Sequence, residues 1–404
     1  MYISHLSLTN FRSFSRLDID VPRGAILLLG DNAQGKTSIL EAIYFLSTFT
    51  SLQAGHHREL INFLAAREPL AVTRITADYQ RENKKQRIEV RIIQEKNGNG
   101  DFRVRKEILL NGVQQKTQEA IGQFNTVLFL PHMLNIISGS PVERRRYLNL
   151  ALSQTDQRYT AALSTYNKLV TQRNALLKSL WQNSSKDLTQ LDYWDEQVAK
   201  TGATLIYARI QAVLEIEHLA ALAHHELTRS KEVLRMVYLP AYDPDKKSSQ
   251  QMSLPLNTPN ERASFSEEEI ADGFQEALLA VRQEEILRGV TTIGPHRDAL
   301  HFLSNGIDLG AYGSRGQIRT ALLALKIAEI SWMKEKTGHW PVLLLDEVLA
   351  ELDPNRRNDL LSRLGQLEQA LLTTTDIDLF NQEFSQKATL WQINEGRVHE
   401  GTVS

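Results

Sequence analysis

The segment Gly30-Asp31-Asn32-Ala33-Gln34-Gly35-Lys36-Thr37-Ser38 restricts what this chain can fold into more than any other stretch. It follows the apolar run Ala25 to Leu29 and precedes Ile39, Leu40, Ala42, Ile43 and Tyr44, which recur at helical spacing. It therefore reads as a glycine loop between a strand and a helix. It also fits G-x-x-x-x-G-K-[ST], a pattern whose glycines let backbone N–H groups wrap phosphate oxygens at a helix N-terminus. Lys36 would then reach the β and γ oxygens and Thr37 would hold Mg2+, with Gly30, Asp31, Asn32, Ala33, Gln34, Gly35 and Ser38 completing the nucleotide-binding loop.

A phosphate loop needs a carboxylate to organise the cation. Val342-Leu343-Leu344-Leu345 is a short apolar run suited to a buried parallel strand, and it ends at Asp346-Glu347. Asp346 is the metal-side candidate beside Thr37. Glu347, one residue on, is expected to face the opposite side and is the candidate general base, so Lys36 and Glu347 form the catalytic set. A second buried run, Ala370-Leu371-Leu372-Thr373, precedes Thr374.

The chain has 404 residues, 42% of them hydrophobic and 23% charged, enough for a large core in two or three domains. It has no cysteine, which excludes disulfides, thiolate metal sites and a cysteine nucleophile and fits a reducing compartment. Met1 to Asn10 lacks the basic start and apolar run of an export signal, and no stretch is uninterruptedly apolar over about 18 residues. A cytoplasmic protein with no membrane partner is the expectation. The adjacent pairs His56-His57 and His224-His225 lack the spacing of a zinc site. Net charge is only −2, so any nucleic-acid surface must be a local patch.

Alternation from Tyr2 to Leu8 reads as a strand. Residues 71–112 read as an antiparallel hairpin region turning at Asn97-Gly98-Asn99-Gly100. From 144 to 289 the period becomes helical, as in Tyr159, Leu163, Tyr166, Leu169 and Arg173, interrupted by a polar stretch from Leu239 to Glu267. The expected class is α/β: a head made of 1–143 and 290–404 that carries an antiparallel β layer, and an all-helical lobe or short arm at 144–289.

Two further segments complete a series. Ser314-Arg315-Gly316-Gln317 precedes a helical pattern, and Ala350-Glu351-Leu352-Asp353-Pro354 follows the acidic pair. Taken alone, the serine segment is a helix N-cap. In order with the phosphate loop and Asp346-Glu347, these segments resemble the ATP-binding-cassette family. The resemblance implies that Ser314, Gly316, Gln317 and Asp353 contact the nucleotide held by the phosphate loop of a second copy.

Asn10-Phe11-Arg12-Ser13-Phe14, Gly139-Ser140-Pro141 with Arg144-Arg145-Arg146, Tyr166 to Asn174, and Gly294-Pro295-His296-Arg297-Asp298 narrow the likeness: over nearly its whole length the chain resembles the RecF family. That resemblance implies a weak cytoplasmic ATPase that uses ATP and Mg2+, forms an ATP-dependent homodimer and binds duplex, gapped or single-stranded DNA. It further implies work with RecO and RecR in recombinational repair, fork maintenance and the SOS response. The family often has Asp-Asp where Asp346-Glu347 stands, and Pro-Glu-Asp-Leu where Pro131-His132-Met133-Leu134 stands. Thr375, in Thr373-Thr374-Thr375-Asp376, occupies the switch position. A chromosome-maintenance or nuclease-associated ATPase of the same head is the alternative, but such proteins carry a longer coiled coil or a metal-rich nuclease domain. Arg144, Arg145, Arg146, Lys84 and Lys85 are the candidate DNA contacts.

Overall fold

Strand chemistry sorts the β structure into two kinds. The computed structural model describes residues 1–51, 54–97, 101–182, 188–245 and 262–401; the expected turn at 98–100 and most of the polar stretch, 246–261, lie outside the described residues. Where apolar and polar residues alternate, strands pair antiparallel with one buried face. β1 (Tyr2–Phe11), β2 (Phe14–Asp20), β4 (Leu70–Arg81), β5 (Lys84–Lys96), β6 (Phe102–Leu110) and β7 (Val113–Gln115) form such a sheet, ordered β2-β1-β4-β5-β6-β7. The register of β1 against β4 shifts between Ile3 and His5, so Ile3 is buried on the same strand as Leu6 and Leu8 although strict alternation sets it opposite them.

Apolar runs build the second sheet. β3 (Gly24–Leu29), β8 (Thr126–Phe129), β12 (Val342–Asp346), β13 (Gln369–Thr374), β14 (Thr389–Asn394) and β15 (Arg397–Gly401) are ordered β15-β14-β3-β13-β12-β8. Every pair is parallel except the β14–β15 hairpin. β8, β12 and β13 are buried at every position, as strands covered on both faces must be. The helix α1 (Lys36–Thr48) packs against β4 and β5 of the first sheet and against β8, β12 and β13 of the second. That explains its sequence: Ile39 to Leu46 are all buried, so no polar stripe survives.

The chain divides into two compact units, Met1–Met133 with the segment from Glu329 on, and Leu134–Ala328. Both sheets above belong to the first. The second contains the helices Pro141–Thr155, Gln157–Gln182, Gln190–Leu227 and Glu267–Arg288, of which the last three pack on one another. It is not all-helical, as the sequence pattern suggested. β9 (Leu234–Leu239), β10 (Ala299–Ser304) and β11 (Ile307–Asp308) form a three-stranded antiparallel sheet ordered β11-β10-β9. Leu234, Met236 and Tyr238 are the buried positions of β9, a period-2 signal embedded in helical sequence. The pairing of β10 with β9 also draws residues 290–328 into this unit rather than into the head expected from sequence.

A buried polar network orders this second unit. Arg209, 2% exposed, donates to Asp298 and to the Pro295 carbonyl at 2.6 Å each, and to Asn149 at 2.9 Å. Asp298 also accepts the Tyr238 hydroxyl and the Ala241 N–H. His296 Nε2 faces the Thr291 carbonyl, so it carries the proton, and Nδ1 accepts from the Tyr166 hydroxyl at 2.7 Å. The Gly294 to Asp298 segment thus ties four elements together through satisfied buried groups, which rigidify a fold.

Candidate functional site

Register places the site. In the parallel sheet Thr373 pairs with Asp346 and with Leu28, and Leu345 pairs with Phe129, so the carboxyl ends of β3, β8, β12 and β13 lie level. Ligand crevices of α/β sheets form beyond such ends. Here a cavity of about 290 Å³ is lined by Ser13, Asn32, Ala33, Gly35, Lys36, Thr37, Ser38, Pro131, Asp346 and Glu347.

The loop holds a shape that side chains resist. Gly35 caps α1 at φ 110°, and Ala33 also has positive φ, 65°. A Cβ on Gly35 would come within 2.9 Å of the Phe14 ring. No side chain caps α1 and its first turn holds no acidic residue, so the N–H groups there face the cavity lining without an internal anion. Lys36, 4% exposed, curls its ammonium onto the carbonyls of Gly30 at 2.5 Å and Asp31 at 3.2 Å. Its third neighbour is Glu347 Oε1, at 3.3 Å.

Asp346 closes the floor. The Thr37 hydroxyl sits 3.0 Å from both of its carboxylate oxygens, and the Thr373 hydroxyl donates to Oδ1 at 2.7 Å. Burial pushes the Asp346 carboxyl above the ordinary carboxylate range, against the lowering effect of the Thr373 and Thr37 hydroxyls. A buried carboxylate beside a hydroxyl is an oxygen donor set suited to a hard cation such as Mg2+, which takes one or two carboxylates and completes its shell with phosphate oxygens and water. Among the described residues no cluster of three or more His, Cys, Asp and Glu side chains is placed to hold a metal ion.

Glu347 does not face away from Asp346 as strand alternation predicted. Its backbone turns left-handed, φ 52°, immediately after β12, and this returns its side chain to the same cavity. The Glu347 N–H donates to the Thr373 hydroxyl at 2.9 Å, so a single threonine holds both acids. Sequence reading missed Thr373, although a polar residue ending an apolar strand beside the acidic one was the available signal. It also missed Ser13 and Pro131, each inside a segment singled out without a role.

Of the loop residues named from sequence, Gly30, Asp31 and Gln34 do not line the cavity. The first two serve Lys36 through their carbonyls, and Gln34 turns to the β14–β15 turn. Ser314 and Gln317 form a reciprocal cap: the Ser314 hydroxyl accepts the Gln317 N–H at 3.2 Å, and the Gln317 side chain accepts the Ser314 N–H at 3.1 Å. The Ser314 hydroxyl proton remains available for donation, and Ser314 and Gly316 are exposed. Asp353 caps the helix Pro354–Leu364 through the N–H groups of Asn355 and Arg356. Thr375 is exposed one residue past β13, and His132 is exposed outside the cavity lining.

Two of the proposed DNA contacts, Arg144 and Arg145, need correction. Arg144 is 6% exposed and donates to the carbonyls of Leu300 at 2.8 Å and of Ile137 and Gly139 at 3.1 Å, so it holds protein backbone. Arg145 donates to the Asp298 carbonyl at 2.6 Å. Consecutive helical residues point about 100° apart, so the basic triplet cannot form one face, and Arg146 is its exposed member. On the antiparallel sheet Lys85 lies 3.8 Å from Asp78, which also takes Arg87 at 2.6 Å. Arg74 and Arg91 share Glu89 at 2.7 and 2.6 Å. Carboxylates therefore sit beside several of these cations, while Lys85 is 71% exposed and Lys84 is exposed at the start of β5.

Together, a phosphate loop, a carboxylate on the adjacent strand end and a second acid over one cavity define a phosphate-loop nucleotide-binding head of the ATP-binding-cassette type. Comparisons narrow this. A family model described as the RecF/RecN/SMC N terminal domain matches residues 2–397. The chain is 39% identical over 410 residues to the DNA replication and repair protein RecF of Herpetosiphon aurantiacus, with 98% of this chain and 99% of that protein covered. To the protein of the same name from Bacillus subtilis it is 35% identical over 406 residues, covering 98% and 100%. A solved structure described as the recombination mediator protein RecF-ATPrS in the RecFOR pathway has 30% identity and a TM-score of 0.81, covering 99% of this chain and 98% of that one. An SmcHead structure, 15% identical with a TM-score of 0.54, shares the fold. The chain belongs to the RecF family.

Proposed function

We propose that this protein binds ATP with Mg2+ in the cavity and hydrolyses it slowly, that ATP joins two copies, and that the joined form holds DNA during recombinational repair. The observation that carries the reading is the convergence of Lys36, Thr37, Asp346 and Glu347 on one cavity at a helix N-terminus. Lys36 exchanges the Gly30 and Asp31 carbonyls for phosphate oxygens, while N–H groups of the loop and of the first turn of α1 cradle them. Thr37 and Asp346 would hold Mg2+, which would supply charge neutralisation of the phosphates. Glu347 is the group placed to take a proton from an attacking water.

Support for ATP comes also from the relatives: solved RecF structures described as RecF-ATP and RecF-ATPrS cover this chain almost completely. Ser314, Gly316, Gln317 and Asp353 supply the contacts to the nucleotide of the opposite copy, and Thr375 supplies a hydroxyl at the switch position. RecO and RecR are the implied partners, through the RecFOR pathway named for the relatives. Among the described residues no helix is long and apolar enough to cross a membrane; the cytoplasmic setting rests on the family resemblance.

Light scattering with and without ATP tests the joined form. Wild type should dimerise in ATP, whereas Ser314→Arg should bind ATP and stay monomeric. A normal Ser314→Arg dimer would remove the contact across copies, and a wild type that stays monomeric in ATP would remove the dimer itself.

A further inference from the structure

The turn between β14 and β15 touches the phosphate loop although it lies 361 residues away in sequence. Glu395 and Gly396, the central residues of that turn, both have left-handed backbones, φ 47° and 71°, while Asn394 pairs with Arg397. Two successive left-handed residues aim their N–H groups outward on one side. Both N–H groups meet a single residue: Glu395 N–H donates to Gln34 Oε1 at 2.6 Å, and Gly396 N–H to the Gln34 carbonyl at 3.3 Å. Two close approaches seat the contact. A Cβ on Gly30 would lie 2.4 Å from the Ile393 carbonyl oxygen, and one on Gly396 would lie 3.3 Å from the Ser13 carbonyl oxygen.

We infer that Gln34 is a positioning residue, anchored by the Glu395-Gly396 turn, that fixes the phosphate loop in its cradle shape before nucleotide arrives. The inference rests on the reading of the cavity as a nucleotide site. Gln34 itself does not line that cavity, but its neighbours Ala33 and Gly35 do, and both carry the left-handed dihedrals that aim the loop. Without the anchor the loop must be ordered by the nucleotide, and binding weakens by the cost of that ordering. Preorganisation acts on bound substrate and transition state alike, so its loss raises KM more than it lowers kcat.

The test compares wild type, Gln34→Met, which keeps length and removes the acceptor, and Glu395→Gly, which keeps the N–H and favours its dihedral. Titration with a fluorescent ATP analogue, steady-state hydrolysis and hydrogen exchange of the 31–36 backbone are read together, with melting temperature as the check on folding. Gln34→Met should weaken nucleotide binding by up to about tenfold, the loss of the one neutral hydrogen bond from Glu395 N–H, with KM rising more than kcat falls and exchange of the loop quickening. Glu395→Gly should bind as wild type does. Unchanged affinity and exchange in Gln34→Met, or a fall in kcat at constant KM, would overturn the anchor. A wild type that does not bind the analogue would instead overturn the nucleotide site.

Discussion

Thr373 donates its hydroxyl to Asp346 Oδ1 at 2.7 Å and, through the same oxygen, accepts the N–H of the residue that follows Asp346. One side chain on β13 therefore sets the carboxylate that faces Thr37 and the left-handed turn that brings Glu347 back over the cavity. Thr373→Val keeps the shape and removes both bonds, about 0.5–1.5 kcal/mol for the Glu347 N–H and somewhat more for the one to the carboxylate, which keeps only Thr37. Hydrolysis at saturating ATP should fall tenfold or more while Thr373→Ser retains most of it. Phosphate release measured on both variants checks this, and equal loss in Val and Ser would contradict it.

Lys36 and Glu347 should separate binding from turnover. Lys36→Ala should abolish ATP binding, since among the described residues no other ammonium lines the cavity. Glu347→Gln should bind ATP, lose turnover by two orders of magnitude or more, and accumulate the dimer, because a general base typically contributes that much. Nucleotide titration with single-turnover hydrolysis measures both; unaltered turnover in either variant removes that residue's role.

Arg144 should matter for stability rather than for DNA. Arg144→Leu withdraws three charge-assisted hydrogen bonds to backbone carbonyls, which should cost about 2–4 kcal/mol in denaturant unfolding. DNA affinity of the folded variant should match wild type. A variant of undiminished stability that loses DNA binding would restore Arg144 as a phosphate contact.

Buried histidines set a pH window. Burial pushes His296 down to about 4, and burial does the same for His339. Both are neutral in the folded protein between that value and the ordinary histidine pKa near 6.5, whereas the unfolded chain gains protons there. Their contribution is present above pH 6.5 and is lost as pH falls toward 4. The denaturation midpoint should drop across this window, and His296→Gln, which still accepts from Tyr166 and donates to the Thr291 carbonyl, should drop less steeply. Parallel pH curves would contradict this.

What the sequence revealed followed the strength of each physical signal. Gly30 to Ser38 was legible because its glycines, lysine and threonine answer one chemical demand, and Val342 to Leu345 because a run apolar at every position suits a strand buried on both faces. Glu347 was placed on the wrong side because period 2 ends where φ becomes positive, and a non-glycine residue gives no warning of that. Arg144 looked like a patch because adjacency in sequence was read as adjacency in space. β9 was hidden by its length, six residues between long helical periods. The anchor on Gln34 was invisible for a simpler reason: its partner lies 361 residues away and contributes only backbone N–H groups.

Anisotropy of a labelled duplex, titrated with the protein in ATP and in ADP at two salt concentrations, tests most directly whether nucleotide governs DNA binding. The account predicts tight binding in ATP that weakens as salt rises, and weak binding in ADP. Equal affinity in the two nucleotides, or no binding in either, would contradict it.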